Sequence, residues 1–511
     1  MARANATLTD DGWLVEEIRS GPLGWAPAST CIVFGTSLEE YVWWYNTPTG
    51  ITYANGLATV TKSTHGVAGG QPLRFRGVVP DGLNGDTTAT FVDANTFTFP
   101  CPESLGSGTA TVSSAVYYDP RRLAEYGWFN HLNGLLGGRL RLVFNAGKGG
   151  DTSSGMANRL STDVLTKNAE WVFVGAPVND VSTLTAAESV AAMQAIYARL
   201  LAAGFRVVAL TGTPLGSGHA NYSVANQNKL IEIAHAIRAY CLATPGMVCL
   251  DSFAAVVDPT SATAQCRSGY QHTDNIHFSP MGCDAIGQVG AALLAPLIPS
   301  QNTLICSAAD NYGTSSANTN ILDGGMFQGT GGTATSGSGS VSGTIATGWE
   351  VANEIGGATV VCTTAARTVA DDGDTIGNNQ VATITFAAAN NMVSIKSSDV
   401  KARLAVGETY YAEAAVEISG ISNLKQLYFA ILYVATGGRT VYARVFESNT
   451  QTQPTRDRKY VLRTADFVIP DPTLVTAGST ISSVKVYLVA QASAAGAAVL
   501  KMGRAQMRKV A

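Results

Sequence analysis

Residues 31–37 read CIVFGTS, a short apolar run that ends in a glycine and two hydroxyl-bearing residues. Similar apolar runs recur along the first part of the chain. Runs of this kind are typical of strands that are buried on both faces of a parallel sheet. The further runs lie at 140–144, 171–174, 205–210 and 247–250.

Amphipathic segments separate these runs. Residues 186–203 and 223–242 carry apolar side chains at three- and four-residue spacing, which predicts two helices, and 280–297 predicts a closing helix. The repeated order of strand and helix predicts an α/β fold with a doubly wound parallel sheet. In such a sheet the ligand cleft lies at the carboxyl ends of the strands, where residues 35–37 stand.

Residues 52–116 break this rhythm. Short alternating runs are joined there by Gly-Gly, Asp-Gly and Asn-Gly turns, which predicts a small all-β insertion. The α/β domain is therefore expected at 27–51 and 117–300, after an N-terminal segment at 1–26. Because the insertion follows the first strand directly, we expect it to project close to the cleft.

Beyond residue 300 the helical patterns disappear. A stretch rich in glycine, serine and threonine at 324–348 is expected to form a linker or long loops, and period-two strands follow at regular spacing. Residues 301–511 are therefore predicted to form a C-terminal antiparallel β-sandwich of jelly-roll type with a linker. Its strands are expected at 380–386, 409–418, 426–434, 440–446, 459–469 and 482–491.

The composition argues against several classes of protein. Charged residues make up 14% of the chain and the net charge is −4, without a cluster of Lys and Arg, so nucleic acid is not an expected partner. The apolar stretches fall short of the ~20 residues that a spanning helix needs, so no membrane insertion is expected. The opening, MARANATLTDDGW, lacks the apolar core of a signal peptide.

Two stretches at the predicted cleft carry side chains suited to nucleophilic catalysis. Ser37 follows the first strand, where an α/β fold exposes a nucleophile, although a serine that only caps the next helix is the alternative. Asp274 and His277 stand on a turn before the closing helix, and a carboxylate at this spacing orients an imidazole that deprotonates a serine. A metal site that also includes His272 is the alternative, but no further His, Cys or Glu cluster completes it.

An acyl-transfer site also needs hydrogen-bond donors for an oxyanion. The glycine turn that ends at Gly150 follows the second run and leaves backbone N–H groups free to donate; it lacks the spacing of a nucleotide-binding loop. Asn179 follows the third run and offers a side-chain amide, with an ordinary Asx turn as the alternative.

Taken together, these stretches resemble the SGNH (GDSL-like) hydrolases over about 27–51 and 117–298. The resemblance implies a serine esterase that needs no metal and no organic cofactor. The residues that it implies are Ser37 as nucleophile, His277 as base, Asp274 as its orienting partner, and the Ser37 N–H, the Gly150 N–H and the Asn179 amide as oxyanion hole.

Two positions depart from the family's pattern. Thr36 stands where the family has an aspartate, and Pro177 stands where it has the glycine that precedes the asparagine by two residues. Neither change removes a group from the chemistry itself. Both affect the contacts that fix the site, and so bear on the rate more than on the type of reaction.

The β-rich parts of the chain resemble modules of bacteriophage tail proteins and of carbohydrate-binding jelly rolls. An SGNH esterase with such modules is similar to the tailspike and tail-fibre enzymes that remove acetyl groups from bacterial surface polysaccharides. This resemblance implies a polysaccharide O-deacetylase of the virion that acts at the host cell surface. It also implies a homotrimer that is attached to other phage tail proteins.

Two other functions stay open. A non-catalytic glycan-binding adhesin with a vestigial hydrolase domain would account for Thr36, and a lipase or thioesterase would use the same chemistry on another acyl chain. The C-terminal region in turn either binds glycan or only assembles the oligomer.

Overall fold

The computed structural model of the protein describes residues 6–8, 14–16, 29–299, 310, 319–372, 375–447, 453–475 and 478–510. Most of the predicted N-terminal segment and most of residues 300–318 therefore lie outside the described residues. The short strands Ala6–Leu8 and Leu14–Glu16 pair with each other in antiparallel orientation.

A five-stranded parallel sheet forms the centre of the α/β region, as the sequence predicts. Strand Ser29–Gly35 lies between Leu140–Gly147 and Trp171–Val174, and Arg206–Leu210 and Met247–Leu250 complete the sheet. The second and third of these strands in chain order thus lie on opposite sides of the first. Such a reversal of strand order is the place where open α/β sheets bind ligands.

Side chains of the central strand alternate between two apolar cores, one on each face of the sheet. Cys31 and Val33 belong to one core and Ile32 and Phe34 to the other, and all four are fully buried.

In the described ranges no helix is long and apolar enough to cross a membrane. The α-helices of this region are Ser37–Glu40, Trp128–Leu135, Ser153–Leu160, Ala186–Ala202, Val224–Ala243, Ser252–Val256 and Pro280–Leu294.

The stretch predicted as a β insertion forms antiparallel strands around an aromatic core. Phe75 stacks on Phe99, and Phe97 meets Tyr117 edge to face in the same core. These four side chains supply the apolar burial that a small β module needs. The strands are Gly50–Ala54, Leu57–Thr61, Gln71–Arg76, Gly85–Phe91, Thr96–Pro100 and Gly108–Thr109.

Strand Val116–Ala124 connects the insertion with the C-terminal region. It pairs in antiparallel orientation with Gln71–Arg76 and Trp43–Asn46, and in parallel orientation with Thr440–Glu447. One sheet of 14 strands therefore runs from the insertion into the C-terminal region. The division of the chain into four parts stays a prediction.

A buried ion-pair cluster lies at this connection. Glu447 accepts Arg122 at 2.9 Å and Arg444 at 2.8 Å, and the Arg122 guanidinium lies 3.4 Å from the centre of the Trp44 ring. Burial raises the pKa of Glu447, but the two guanidinium groups lower it more, so the carboxyl is ionised at neutral pH. A buried charge that lost its partners would be strongly destabilising, so this cluster ties the two regions together.

The C-terminal region is rich in strands, as predicted, and its sheets share one apolar core. Phe429 and Leu488 of the 14-stranded sheet lie in the same core as Val416 and Leu500 of a second sheet, which has seven strands. The jelly-roll topology stays a prediction. The first sheet contains Thr333–Thr335, Trp349–Ile355, Met392–Ser397, Leu424–Ala435, Thr440–Glu447 and Ile481–Ala492, and the second contains Ser340–Gly343, Thr359–Ala366, Asn378–Phe386, Thr409–Ser419, Arg458–Arg463, Phe467–Val468 and Gly496–Lys509.

The glycine-rich stretch at 324–348 differs from the expectation of a linker or long loops. It contributes Thr333–Thr335 to one sheet and Ser340–Gly343 to the other, each in parallel pairing. Threonine and serine are accepted in edge strands, where one side of the backbone faces no partner strand. The stretch is therefore part of the folded region.

Candidate active site

Ser37 lies at the carboxyl end of the central strand. The strand ends at Gly35, Thr36 has an extended backbone, and Ser37 begins the four-residue helix that follows. Only 8% of Ser37 is exposed. The turn thus presents the serine at the reversal point of the sheet, where the sequence predicted a nucleophile.

Asp274 and His277 lie on a tight turn just before the closing helix. The N–H of His272 donates to the carbonyl oxygen of His277 at 2.8 Å, and Asn275 has a positive φ of 62° within the turn. The Oδ1 atom of Asp274 accepts the N–H groups of Ile276 and His277, both at 3.1 Å. These bonds fix the carboxylate relative to the imidazole.

The side chains of Ser37, His277 and Asp274 form a hydrogen-bonded chain. The Nε2 atom of His277 lies 2.7 Å from Ser37 Oγ, and its Nδ1 atom lies 2.7 Å from Asp274 Oδ2. Burial raises the pKa of Asp274, but the hydrogen bond and charge of His277 lower it more, so it lies well below its usual range. Because an ionised carboxylate only accepts, we assign the proton of the neutral ring to Nδ1, and Nε2 then accepts the serine hydroxyl.

The glycine turn after strand Leu140–Gly147 lies beside Ser37. The N–H of Gly149 donates to Glu40 Oε2 at 2.6 Å, and a methyl group at Gly149 would lie 3.9 Å from Ser37 Cβ. Gly150 has a positive φ of 72°, and its N–H has no acceptor among the residues that the structure describes. The N–H of Ser37 is in the first turn of its helix, where backbone donors have no intrahelical partner.

Asn179 lies in the short turn after strand Trp171–Val174. Its Nδ2 atom donates to the carbonyl oxygen of Asp151 at 2.8 Å, which uses one of the two amide hydrogens. Because Asp151 directly follows Gly150, this bond joins two of the three predicted oxyanion donors. The structure therefore brings the serine, histidine and aspartate into direct contact and links Gly150 to Asn179 through their shared neighbour.

Two glutamates of the Ser37 helix also belong to the site, although the sequence analysis assigned them no role. Glu39 Oε2 accepts the N–H of Thr36 at 2.9 Å, and Glu40 accepts the N–H of Gly149. Burial raises the pKa of Glu39 to about 7, although the bonds from Thr36 lower it, and burial also raises the pKa of Glu40 against the charge of Arg76. The available signal was the Thr-x-x-Glu spacing of a helix capping box at 36–39.

Tyrosine side chains line the site beside the imidazole. The ring of Tyr41 lies 4.5 Å from the ring of His277 and stacks on Tyr45 at 5.0 Å, while Tyr126 meets Tyr41 edge to face at 5.7 Å. Tyr41 and Tyr45 are half-buried. Aromatic rings and phenolic hydroxyls are therefore available next to the base.

The alternative of a metal site finds no support in the geometry. In the described parts of the chain, no three His, Cys, Asp or Glu side chains are grouped as metal ligands. His272, the third member of the suggested ligand set, meets Tyr126 edge to face with ring centres 6.4 Å apart. Burial lowers the pKa of this histidine.

Residues 107–285 match the GDSL-like Lipase/Acylhydrolase family. The matched range contains Gly150, Asn179, Asp274 and His277 and begins after Ser37, from which most of the β insertion separates it. No curated protein matches the chain.

Several solved structures are similar to this chain at low identity. A GDSL-like lipase from Bacteroides thetaiotaomicron is 17% identical, with a TM-score of 0.26, over 31% of this chain and 75% of the other. A lipase/acylhydrolase from Enterococcus faecalis is 18% identical, with a TM-score of 0.27, over 32% and 78%. An acetyl-xylooligosaccharide esterase variant from Geobacillus is 12% identical, with a TM-score of 0.30, over 52% and 93%.

The family match covers four of the five strands of the parallel sheet, and the central strand, Ser29–Gly35, precedes it. The match agrees with the resemblance that the motifs indicated. Residues 107–285 thus belong to a domain of the GDSL-like lipase/acylhydrolase (SGNH) family.

Proposed function

We propose that this protein is a carbohydrate esterase that removes O-acetyl groups from a bacterial surface polysaccharide through an acyl-enzyme on Ser37. The observation that carries the proposal is the chain of two 2.7 Å hydrogen bonds from Ser37 through His277 to Asp274. A serine hydroxyl becomes an effective nucleophile only when a positioned base takes its proton. This arrangement supplies that base in the required tautomer.

Acylation begins when Ser37 Oγ attacks the carbonyl carbon of the bound acetyl ester. The Nε2 atom of His277 takes the hydroxyl proton as the new C–O bond forms, and Asp274 stabilises the imidazolium. The tetrahedral intermediate then collapses and the ester bond to the sugar breaks. His277 donates its proton to the departing sugar oxygen, which leaves the acetyl group on Ser37.

Deacylation repeats these steps with water in place of the serine. His277 takes a proton from the water as it attacks the acetyl carbon, and returns a proton to Ser37 as acetate leaves. In both halves of the reaction, negative charge develops on the carbonyl oxygen of the acetyl group. The N–H groups of Ser37 and Gly150 and the amide of Asn179 are the donors that we assign to it.

The surroundings of the site support a sugar ester as substrate. The side chain of Asp274 is 47% exposed and that of His277 is 15% exposed, so the triad reaches the protein surface on the side of its carboxylate. Tyr41 and Tyr45, beside the imidazole, offer rings and hydroxyls, and such amphipathic side chains suit the faces and edges of sugars. A long acyl chain would instead favour an extended apolar pocket.

We extend the proposal to the setting of the enzyme. We propose that it is part of a phage tailspike in the virion, that it acts at the host cell surface, and that it is a homotrimer attached to other tail proteins. The β insertion within the hydrolase domain and the β-rich C-terminal region support this setting, since their sequences resemble modules of phage tail proteins and of carbohydrate-binding jelly rolls. Light scattering of the purified protein tests the trimer, and a monomeric mass would contradict it.

Acetate release from an acetylated bacterial capsular polysaccharide tests the activity, with a chromogenic acetyl ester run in parallel. We expect release by the wild type and none by Ser37→Ala, with an unchanged circular dichroism spectrum. Ser223→Ala is the matched control, because Ser223 Oγ caps a helix as an exposed serine without contact to His277. Cleavage of the chromogenic ester alone would overturn the choice of polysaccharide.

A non-catalytic glycan-binding protein is the second candidate, because Thr36 stands where the family has an aspartate. The same experiment separates the two functions. Tight binding of the polysaccharide without hydrolysis of either ester would favour this candidate. Equal hydrolysis by the wild type and Ser37→Ala would overturn the mechanism.

A further inference from the structure

Glu39 is a buried acid that lies against residues 35–37, the turn that carries the nucleophile and is called the nucleophile turn below. Only 1% of the residue is exposed, and its Oε2 atom accepts the N–H of Thr36 at 2.9 Å and the Thr36 hydroxyl at 3.4 Å. Thr36 precedes Ser37 in the chain. The carboxyl group therefore holds the one residue that connects the central strand to the nucleophile.

Two glycines make room for this carboxyl group. A Cβ atom at Gly35 would lie 2.3 Å from Glu39 Oε2, and a Cβ atom at Gly175 would lie 2.1 Å from Glu39 Cδ. Real Cβ atoms do not approach other atoms so closely, so any larger residue at either position would displace the glutamate. Gly35 ends one strand and Gly175 follows the neighbouring strand, so the space at the ends of both strands is shaped around this one side chain.

We infer that Glu39 is the positioning residue of the nucleophile: its carboxyl group anchors Thr36 and so holds Ser37 Oγ in line with His277. This inference rests on the proposed serine esterase function. It deepens that function because it assigns a role to a residue outside the triad and the oxyanion hole. It also accounts for Thr36, since a carboxyl group reaches the nucleophile turn from position 39 when position 36 has none.

The short helix gives a physical reason for such an anchor. The helix that begins with Ser37 has four residues, which is too short to hold its own geometry without outside contacts. If the Thr36 N–H lost its acceptor, Ser37 Oγ would be free to move relative to His277 Nε2. A displacement of about 1 Å at a reacting atom lowers a rate by about 100-fold.

A purely structural capping role for Glu39 makes a different prediction. Replacing Glu39 by an apolar side chain of similar volume removes a buried carboxyl group, but it also leaves the buried N–H of Thr36 without its acceptor, which costs about 1 to 3 kcal/mol. Glu39→Met removes the acceptor and keeps the volume. Both roles therefore predict some loss of stability, but only a positioning role predicts a slower nucleophile in the folded protein, whereas a capping role predicts an unchanged nucleophile.

Labelling by a fluorophosphonate measures the nucleophile without knowledge of the natural substrate. Ser37 Oγ attacks the phosphorus, its proton passes to His277, and fluoride leaves. We expect Glu39→Met to be labelled about 10- to 100-fold more slowly than the wild type at a temperature at which circular dichroism shows both proteins folded. We expect Glu39→Gln, which keeps an acceptor oxygen, to be labelled at a rate within about threefold of the wild type.

Glu188→Met is the matched control. Glu188 accepts the N–H of Thr185 at 2.8 Å in the same type of capping box, but it is exposed and starts a helix of 17 residues. We expect its labelling rate to equal that of the wild type. If Glu39→Met does not fold, Glu39→Ala, which has no side chain to clash, carries the same expectation.

A second test adds a carboxyl group back from the other side. The Thr36 hydroxyl already contacts the Glu39 carboxyl group, so an aspartate at 36 would reach the space that Glu39→Met leaves. We expect Thr36→Asp to restore at least about tenfold of the labelling rate in the Glu39→Met background. Labelling of Glu39→Met at the wild-type rate would overturn the inference, whereas absence of label on wild-type Ser37 would overturn the proposed function itself.

Discussion

The Nε2 atom of His277 lies 2.7 Å from the Oγ atom of Ser37, although 240 residues separate the two in the chain. Ser37 follows the central strand of the sheet, and His277 stands on a turn that precedes the last helix of the domain. Both positions lie at the carboxyl edge of the sheet, and the parallel arrangement of the strands brings them together. The contact therefore depends on the whole α/β domain, and its kinetic consequences are measurable.

Asp274→Asn tests the orientation of the imidazole. An asparagine cannot stabilise the imidazolium charge and can donate to Nδ1, which favours the wrong tautomer. We expect kcat for a chromogenic acetyl ester to fall by about 10²- to 10⁴-fold, with KM changed by less than about threefold. Asp258→Asn is the control, since Asp258 accepts the N–H of Thr260 in an exposed turn without contact to His277. Equal kcat in Asp274→Asn and the wild type would contradict the assigned role.

Asn179→Ala tests the side-chain donor of the oxyanion hole. The amide is tied to Asp151 by one hydrogen, and we assign the other to the oxyanion. We expect kcat to fall by about 10²- to 10³-fold while KM stays nearly constant, because the donor acts on charge that develops in the transition state. Asn179→Asp should be slower still, since a carboxylate repels the oxyanion. An alanine variant with full activity would remove Asn179 from the site.

The substitution Glu39→Gln is expected to change the pH dependence of the free energy of unfolding. Burial raises the pKa of Glu39 from 4.5 to about 7, so the folded state binds more protons than the unfolded state between these values. The wild type therefore loses stability as the pH rises through this window, and the glutamine variant does not. Urea unfolding at pH 5 and pH 8 should show the variant gaining about 2.5 kcal/mol on the wild type across this range. Parallel curves for the two proteins would contradict the raised pKa.

Glu447→Ala tests the connection between strand Val116–Ala124 and the C-terminal region. The change leaves the buried Arg122 and its neighbour Arg444 without their shared carboxylate. We expect a loss of about 3 to 5 kcal/mol in the free energy of unfolding. Glu417→Ala is the control, because Glu417 meets Lys459 and Lys501 at distances of 3.5 Å or more near the surface, and we expect a loss below about 1 kcal/mol. Equal losses in both variants would show that the buried cluster at Glu447 stabilises the protein no more than the ion pairs of Glu417.

The α/β domain follows closely from the sequence because its signals are local. The run at 171–174 and the segment at 223–242 predicted a buried strand and an amphipathic helix, and the structure has Trp171–Val174 and Val224–Ala243. Each signal lies within one element and depends on burial alone. Asp274 and His277 share one turn, so their pairing is local as well, whereas the contact of Ser37 with His277 depends on the parallel order of the strands.

The longest strand of the C-terminal region escaped prediction. Strand Gly496–Lys509 lies inside the seven-stranded sheet between Asn378–Phe386 and Thr409–Ser419, yet its sequence contains lysine and arginine on both faces. Arg508 is buried and donates to Gln506 at 2.8 Å. Another partner, Asp310, lies 198 residues away in the chain, so the sequence pattern alone predicts an exposed side chain at Arg508.

The roles of Glu39 and Glu40 were missed in the sequence for a related reason. Glu39 fits between Gly35 and Gly175, and Glu40 binds the N–H of Gly149, so two of these three partners come from other strand ends. Their role depends on the parallel order of the strands, which no single motif encodes. The capping-box spacing indicated the bond to Thr36 but not its position below the nucleophile.

The parallel pairing of Val116–Ala124 with Thr440–Glu447 bears on how this enzyme can be inherited. A truncation near residue 300 would strip that strand of its neighbour and leave unpaired backbone groups, a template for aggregation. The α/β domain therefore cannot be exchanged independently of the C-terminal region. A recombination event that replaced only the C-terminal region would also have to supply a strand of matching register and a carboxylate for Arg122. Sequence variation in this protein is therefore expected mainly in its loops, whereas strands Val116–Ala124 and Thr440–Glu447 are expected to be inherited together.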